Sequence, residues 1–283
     1  MSGSFVTPLR YPGGKGRLGS WFSEIIDNNN MKDFTFVEPY AGGAGAALYL
    51  LVNKKVKNII LNDVDPVIYC IWWSILNDKD RLVSMIRGAN LTMDEWRKQR
   101  EIVKRGDTSD KTLLGFAGFY QNRTNRSGII NGGVIGGLKQ EGNYKLDARF
   151  NKEKLIGRIE VISNFSDKIT LSNHDAIGFI KSNKVEFKDN CLLYLDPPYF
   201  NKGWQLYRNF YDVDDHRKVS DILKEVDCPW VVTYDNCKEI KSLYGWAESH
   251  DFNLRYSVHD ARPIGKEICV LNKIKYTPIY FKR

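Results

Sequence analysis

The chain has 283 residues, 42% hydrophobic and 13% aromatic, enough for one sizeable core and short of two full domains at roughly 100–200 residues each. No signal peptide opens it, no apolar run approaches the roughly 18 residues of a membrane span, and five scattered cysteines (Cys70, Cys191, Cys228, Cys237, Cys269) offer neither metal-ligand spacing nor a disulfide frame. A soluble cytoplasmic protein without a metal is expected, and the net charge of +8 points to a polyanionic partner.

In chain order, Arg10-Tyr11-Pro12-Gly13-Gly14-Lys15-Gly16 comes first, ahead of the first helix. Its glycines let the backbone approach a ligand and Lys15 adds a cation, so a carboxylate or a phosphate would fit there. The lack of a preceding strand and of Ser or Thr after Lys15 counts against a phosphate loop. Residues 34–38 and 56–61 are short, β-branched apolar runs, each followed by a helical pattern at 44–53 and 66–76. Asp65 and Pro66 read as N-cap and first helical residue of the second. That β-α-β-α order predicts a parallel sheet covered on both faces.

Residues 78–165 interrupt the alternation and read as an inserted, mostly helical lobe. The positive charge concentrates there: residues 87–158 hold fifteen Lys and Arg against eight Asp and Glu, a balance of +7, so the remaining residues carry only +1. Arg97, Lys98, Arg100, Lys104 and Arg105 read either as a solvated helical face or as phosphate contacts. Residues 122–143, rich in Gly, Asn and Arg, suit a loop or twisted hairpin better than a helix. Strands resume at 169–171, 191–195 and 230–233, with helices near 176–181, 214–226 and 237–243. Stretches at 252–258 and 267–273 read as an antiparallel pair at the sheet edge. Residues 1–77 and 166–283 together form the doubly wound α/β unit into which the lobe is inserted.

Two constellations carry chemistry. Asp196-Pro197-Pro198-Tyr199 directly follows the strand at 191–195, at the carboxyl edge where open α/β sheets bind ligands. Pro-Pro there can simply stop a strand. The group of four also suits attack by a planar exocyclic amine: a carboxylate and a rigidly aimed carbonyl accept hydrogen bonds from it, and an aromatic face holds its ring flat. The glycine-rich turn Glu38-Pro39-Tyr40-Ala41-Gly42-Gly43-Ala44-Gly45 reads either as tight packing or as a cofactor turn. Asp63, ending the next strand, lies where a carboxylate accepts from ribose hydroxyls. Neither the Rossmann glycine spacing nor a Walker lysine is present in the turn. A cofactor without a phosphate chain fits, and S-adenosylmethionine is one.

With these pieces in this order, nearly the whole chain resembles the Dam-type DNA adenine-N6 methyltransferases. The resemblance implies a Rossmann-like methyltransferase sheet with an inserted target-recognition lobe. The implied activity is transfer of a methyl group from S-adenosylmethionine to a flipped adenine in double-stranded DNA. It further implies that Tyr11, Lys15, Glu38, Tyr40, Gly42 and Asp63 border the cofactor, and that Asp196 lies between its methionine end and the target amine. Asp175 falls where the family contacts the cofactor's adenine, though Asn173 or His174 could take that part and Asp175 could cap the next helix. Asn122, Arg123, Arg126 and Lys139 are the implied DNA contacts, because Arg and Asn make bidentate contacts to guanine and adenine edges. Adenine in RNA, or a catalytically inactive DNA-binding protein on the same scaffold, are the alternatives. The sequence names no recognition site and no oligomeric state.

Overall fold

The structure, a computed structural model, describes residues 7–10, 18–184, 186–187, 190–200, 211–255 and 264–279. Five apolar runs become parallel strands: β1 (Thr35–Glu38), β2 (Asn58–Asn62), β3 (Ile169–Ser172), β4 (Cys191–Leu195) and β5 (Trp230–Asp235). Two more, β6 (Glu248–Arg255) and β7 (Ile264–Asn272), pair antiparallel with each other, and β7 pairs antiparallel with β5. The sheet order is β3-β2-β1-β4-β5-β7-β6. The direction of winding reverses between β1 and β4, which opens a crevice beyond their carboxyl ends, the place where doubly wound sheets take ligands.

Both faces of the sheet are buried, so its strands read as continuous apolar runs rather than alternating ones. Phe36, Ile59, Leu61, Leu192, Tyr194 and Val231 face one core, packed by α1 (Leu18–Asn28), α2 (Gly45–Val52) and α3 (Pro66–Asn77). Val37, Leu193, Leu195, Val232 and Tyr234 face the other. The start of α3 follows the expected chemistry: the Asp65 carboxylate accepts from the Val67 N–H at 2.8 Å, with Pro66 in the first turn.

The interruption is helical in its first part, with α4 (Lys79–Gly88), α5 (Met93–Arg105) and α6 (Lys111–Thr124), and again at its end, with α7 (Lys152–Ser163). It is not a separate core, because α6 packs directly on α3 through two glycines. A Cβ at Gly115 would stand 2.4 Å from the Cys70 carbonyl oxygen, and one at Gly118 would stand 2.3 Å from a Val67 methyl. On the opposite face of the sheet, Phe179 and Ile180 of α8 (Ala176–Asn183), Val219, Ile222 and Leu223 of α9 (Val213–Lys224), and Ile240 of α10 (Lys238–Leu243) fill the second core.

The glycine-rich stretch is a loop, one of the two forms expected, but it begins later than the composition suggests. Helix α6 continues through Thr124, so Asn122 and Arg123 are helical, and a short turn at Arg126–Gly128 follows. A single antiparallel bridge, Asn125 to Val134, spans that turn, with no longer ladder among the described residues. Gly128, Gly136 and Gly137 take positive φ, which lets the loop coil on itself instead of extending as paired strands.

Candidate active site

The carboxyl ends of β1, β2 and β3 are welded by polar side chains. The chain leaves β1 through a turn in which Gly42 has φ 45°. Its N–H donates to Asp63 Oδ2 at 2.8 Å, and its carbonyl accepts from Trp72 Nε1 at 2.9 Å. The other Asp63 oxygen accepts from the Asp65 N–H at 2.9 Å. Asn62 donates to the Pro39 and His174 carbonyls and accepts from Ser172 Oγ and the His174 N–H, joining all three strand ends. Burial pushes Asp63 up to about 7 against the pull of its two N–H donors. Glu38, accepting from the Ala47 N–H at 3.0 Å, is pushed up to about 8 by burial and by the nearby charge of Asp196.

Past β4, Asp196-Pro197-Pro198-Tyr199 forms a loop held from the neighbouring strands. Thr233 Oγ1 on β5 donates to Asp196 Oδ1 at 3.1 Å. Since that hydroxyl has one proton, Tyr194, 3.1 Å from the same oxygen, is the donor in their pair. Asp235, ending β5, accepts from the Phe200 N–H at 2.8 Å. Tyr199 Oη donates to Glu267 Oε1 on β7 at 2.7 Å. Sequence reasoning missed Thr233, Asp235 and Glu267. The only signal was a polar residue breaking an apolar strand run, and nothing in the sequence says what such a residue faces.

Other expected residues sit as follows. Tyr40 joins this edge, its hydroxyl 3.1 Å from that of Tyr211; burial and then Tyr211 push its pKa well up. Asp175 is exposed and caps α8, accepting from the Gly178 N–H at 2.9 Å, within electrostatic reach of Tyr40 and Tyr211. Tyr11 and Lys15 lie outside the described residues.

Two of the expected DNA contacts are committed elsewhere. Asn122 is fully buried; it accepts from the Arg10 N–H at 2.9 Å and donates to the Arg10 carbonyl at 2.6 Å and the Gly128 carbonyl at 2.8 Å. It clasps the N-terminal segment onto α6 as a paired strand would. Arg123 donates to the Arg149 and Pro8 carbonyls, and Arg158 donates to Thr7. Burial lowers Arg123 to about 9, with the charges of Arg10, Arg158 and Arg149 adding to it. Both side chains thus hold main-chain carbonyls in this structure. Arg126 and Lys139 are exposed. Arg126 borders a groove of about 520 Å³ that Trp96, Arg100 and Leu138 also line, on the lobe rather than at Asp196. On α5, Arg97 pairs with Asp94, Lys98 with Glu95 and Lys104 with Glu101, so much of its positive run is locally neutralised.

Among the described residues no cluster of three or more His, Cys, Asp or Glu could hold a metal ion, and no helix is long and apolar enough to cross a membrane. The edge does carry carboxyls, among them Glu38, Asp63, Asp175 and Asp196. Carboxyl groups offer hydrogen-bond partners to a ribose and an amine rather than a cradle for a phosphate chain, which suits S-adenosylmethionine. Asp63 retains lone pairs beyond its two N–H partners for a ribose diol.

The chain matches the model of D12 class N6 adenine-specific DNA methyltransferases over residues 11–258. It is 24% identical over 240 residues to the type II methyltransferase M.MjaIII of Methanocaldococcus jannaschii, covering 77% of this chain and 79% of that one. It is also 24% identical over 264 residues to the type II methyltransferase M.CviBI of Paramecium bursaria Chlorella virus NC1A, covering 92% and 95%. Among solved structures, a SAM-dependent methyltransferase from Agrobacterium tumefaciens aligns with a TM-score of 0.41 at 11% identity, over 91% of this chain and 61% of that one. The rRNA methyltransferase aviRa from Streptomyces viridochromogenes aligns with a TM-score of 0.40 at 13% identity, over 92% and 85%. The family match runs through both halves of the sheet and through the helical insertion between them. Its reaction draws the methyl group from S-adenosylmethionine, and the chain belongs to the D12 class N6 adenine-specific DNA methyltransferase family.

Proposed function

We propose that the protein methylates the exocyclic amine of an adenine flipped out of double-stranded DNA, with Asp196, Pro197, Pro198 and Tyr199 as the receiving site. The observation that carries this reading is the tethering of that loop to β5 and β7 at the carboxyl edge, beside the turn that Asp63 holds. The Asp196 carboxylate and the Pro197 carbonyl accept hydrogen bonds from the amine, favouring its pyramidal form and stabilising the positive charge that grows on nitrogen. The Tyr199 ring holds the base by stacking, which is worth about 1–3 kcal/mol. Bound S-adenosylmethionine supplies an electrophilic methyl group on sulfonium sulfur. Tyr11, Lys15, Glu38, Tyr40, Gly42, Asp63 and Asp175 form the cofactor side, where Asp63 accepts from the ribose and Asp175 borders the adenine.

Residues 78–165 act as the target-recognition lobe, with Arg126 and Lys139 as its DNA contacts. Flipping costs unstacking energy, and a basic lobe gripping the duplex supplies compensating contacts. The names of the two curated relatives support a role in type II modification. A DNA substrate and five free thiols suit a cytoplasmic setting. The test is transfer of labelled methyl groups to duplex DNA, single-stranded DNA and RNA offered in parallel. Label entering duplex DNA is the expected result; label entering RNA alone would move the acceptor.

A further inference from the structure

We propose that Glu267, on the antiparallel strand β7, is a positioning residue that sets the orientation of the Tyr199 ring; this rests on the reading of Tyr199 as the base platform. Tyr199 Oη donates to Glu267 Oε1 at 2.7 Å. Tyr199 is 6% exposed and Glu267 is 0% exposed. The carboxyl stands in a strand where Ile268, Cys269, Val270 and Leu271 follow it, all buried. Burying a carboxyl there is costly unless it is hydrogen-bonded. The polar pair gives the buried ring a directional contact that packing against an aliphatic side chain would not supply.

The direction follows from phenol geometry. Backbone and side-chain torsions anchor the ring at Cβ, and a bond at Oη fixes its far end. A phenolic O–H prefers the plane of its own ring, so the position of the acceptor also selects the rotation about the Cβ–Oη axis. That rotation sets the plane on which a base would stack. Glu267 is well placed to hold it, because in the sheet register it stands opposite Asp235, which accepts from the Phe200 N–H at 2.8 Å. Two adjacent strands thus grip consecutive residues of the catalytic loop. The antiparallel edge of the sheet fixes the loop's far end as Thr233 fixes Asp196.

The test uses the full-length variants Tyr199→Phe, Glu267→Leu, Glu267→Gln, the Tyr199→Phe/Glu267→Leu double variant, and Tyr199→Ala as reference. Each is assayed for methyl transfer, for S-adenosylmethionine affinity, and for fluorescence of a duplex with 2-aminopurine in place of the target adenine. Tyr199→Phe and Glu267→Leu are each expected to lower kcat about ten- to a hundredfold, with cofactor affinity unchanged and the 2-aminopurine signal altered. Glu267→Gln, which keeps an acceptor oxygen, should recover most of the rate lost in Glu267→Leu. The double variant should be no worse than either single one, because both remove the same contact. A wild-type rate in folded Tyr199→Phe overturns the proposal, as do losses that multiply in the double variant. Tyr199→Phe alone carries the test should Glu267→Leu fail to fold, since it removes one hydroxyl and leaves both sites filled. An active Tyr199→Ala would remove the platform reading itself, whereas an inactive Tyr199→Ala beside a normal Glu267→Leu would remove only the tether.

Discussion

Glu38 is a carboxyl that the fold buries to 4% exposure at the end of β1, with one N–H donor from Ala47 and the charge of Asp196 nearby. Its pKa rises from 4.5 to about 8, so folding takes up a proton across that interval. Stability associated with Glu38 is therefore greatest below pH 4.5 and is lost as the pH rises towards 8. Glu38→Gln keeps an acceptor for Ala47 and removes the titration. Near pH 5 the variant and the parent should melt at similar temperatures, and near pH 8 the variant should be the more stable, with each kcal/mol of relief raising Tm by about 2–4 °C. Parallel melting profiles across this range would mean that Glu38 is ionised without cost. Asp63, pushed up to about 7, follows the same sign, but both of its oxygens hold backbone N–H groups, so its replacement would also loosen the Gly42 turn.

Among the elements, the contact of α3 with α6 decides whether the lobe and the sheet form one body. Gly115 faces the Cys70 carbonyl with no room for a methyl group, while a Cβ at Gly157, on α7, would meet nothing within 4 Å. Gly115→Ala should therefore cost about 1–3 kcal/mol through forced separation of the two helices. Gly157→Ala should instead gain about 0.5–1 kcal/mol, because alanine loses less backbone freedom on folding. Denaturant midpoints of the two variants, moving in opposite directions from the parent, are the check. Elements of this kind were partly legible. The parallel strands showed as uninterrupted apolar runs because both faces are covered, and α3 was announced by Asp65 and Pro66. The glycine-rich loop was not, since its composition permits both a hairpin and a coil, and the choice rests on positive φ at Gly128, Gly136 and Gly137.

Across the whole molecule, the acidic sheet edge and the basic insertion are joined by the N-terminal segment. Asn122 grips both backbone groups of Arg10, while Arg123 and Arg158 donate to Pro8 and Thr7. Residues of the lobe thus hold the chain just before Tyr11 and Lys15. An Arg-Asn pair in a sequence reads alike whether it faces a base edge or a main-chain carbonyl, and only the tertiary path of the segment 112 residues upstream of Asn122 decides. The Tyr199–Glu267 contact was hidden for the same reason, spanning 68 positions between a loop and the antiparallel strand β7. The positions of Asp196 and Asp63 were legible because each follows a strand, and strand ends gather at one edge in a parallel sheet. Asn122→Ala is expected to weaken S-adenosylmethionine binding by about 1–3 kcal/mol, through the unpaired Arg10 backbone, while leaving the methylated sequence unchanged. Calorimetric titration with the cofactor and a sequencing map of methylated adenines test the two halves. An altered base preference with normal cofactor affinity would return Asn122 to the DNA surface.

Methylation of an adenine amine in duplex DNA, on the loop that begins at Asp196, is open to direct chemical identification of the product. Nucleosides from duplex DNA treated with the cofactor and either the parent or Asp196→Ala are separated and weighed by mass spectrometry. N6-methyldeoxyadenosine is expected with the parent, with a loss of at least about a hundredfold in the folded variant, since one preorganised contact to the developing charge is removed. Equal yields from the two proteins, or a methyl group found on cytosine, would contradict that assignment.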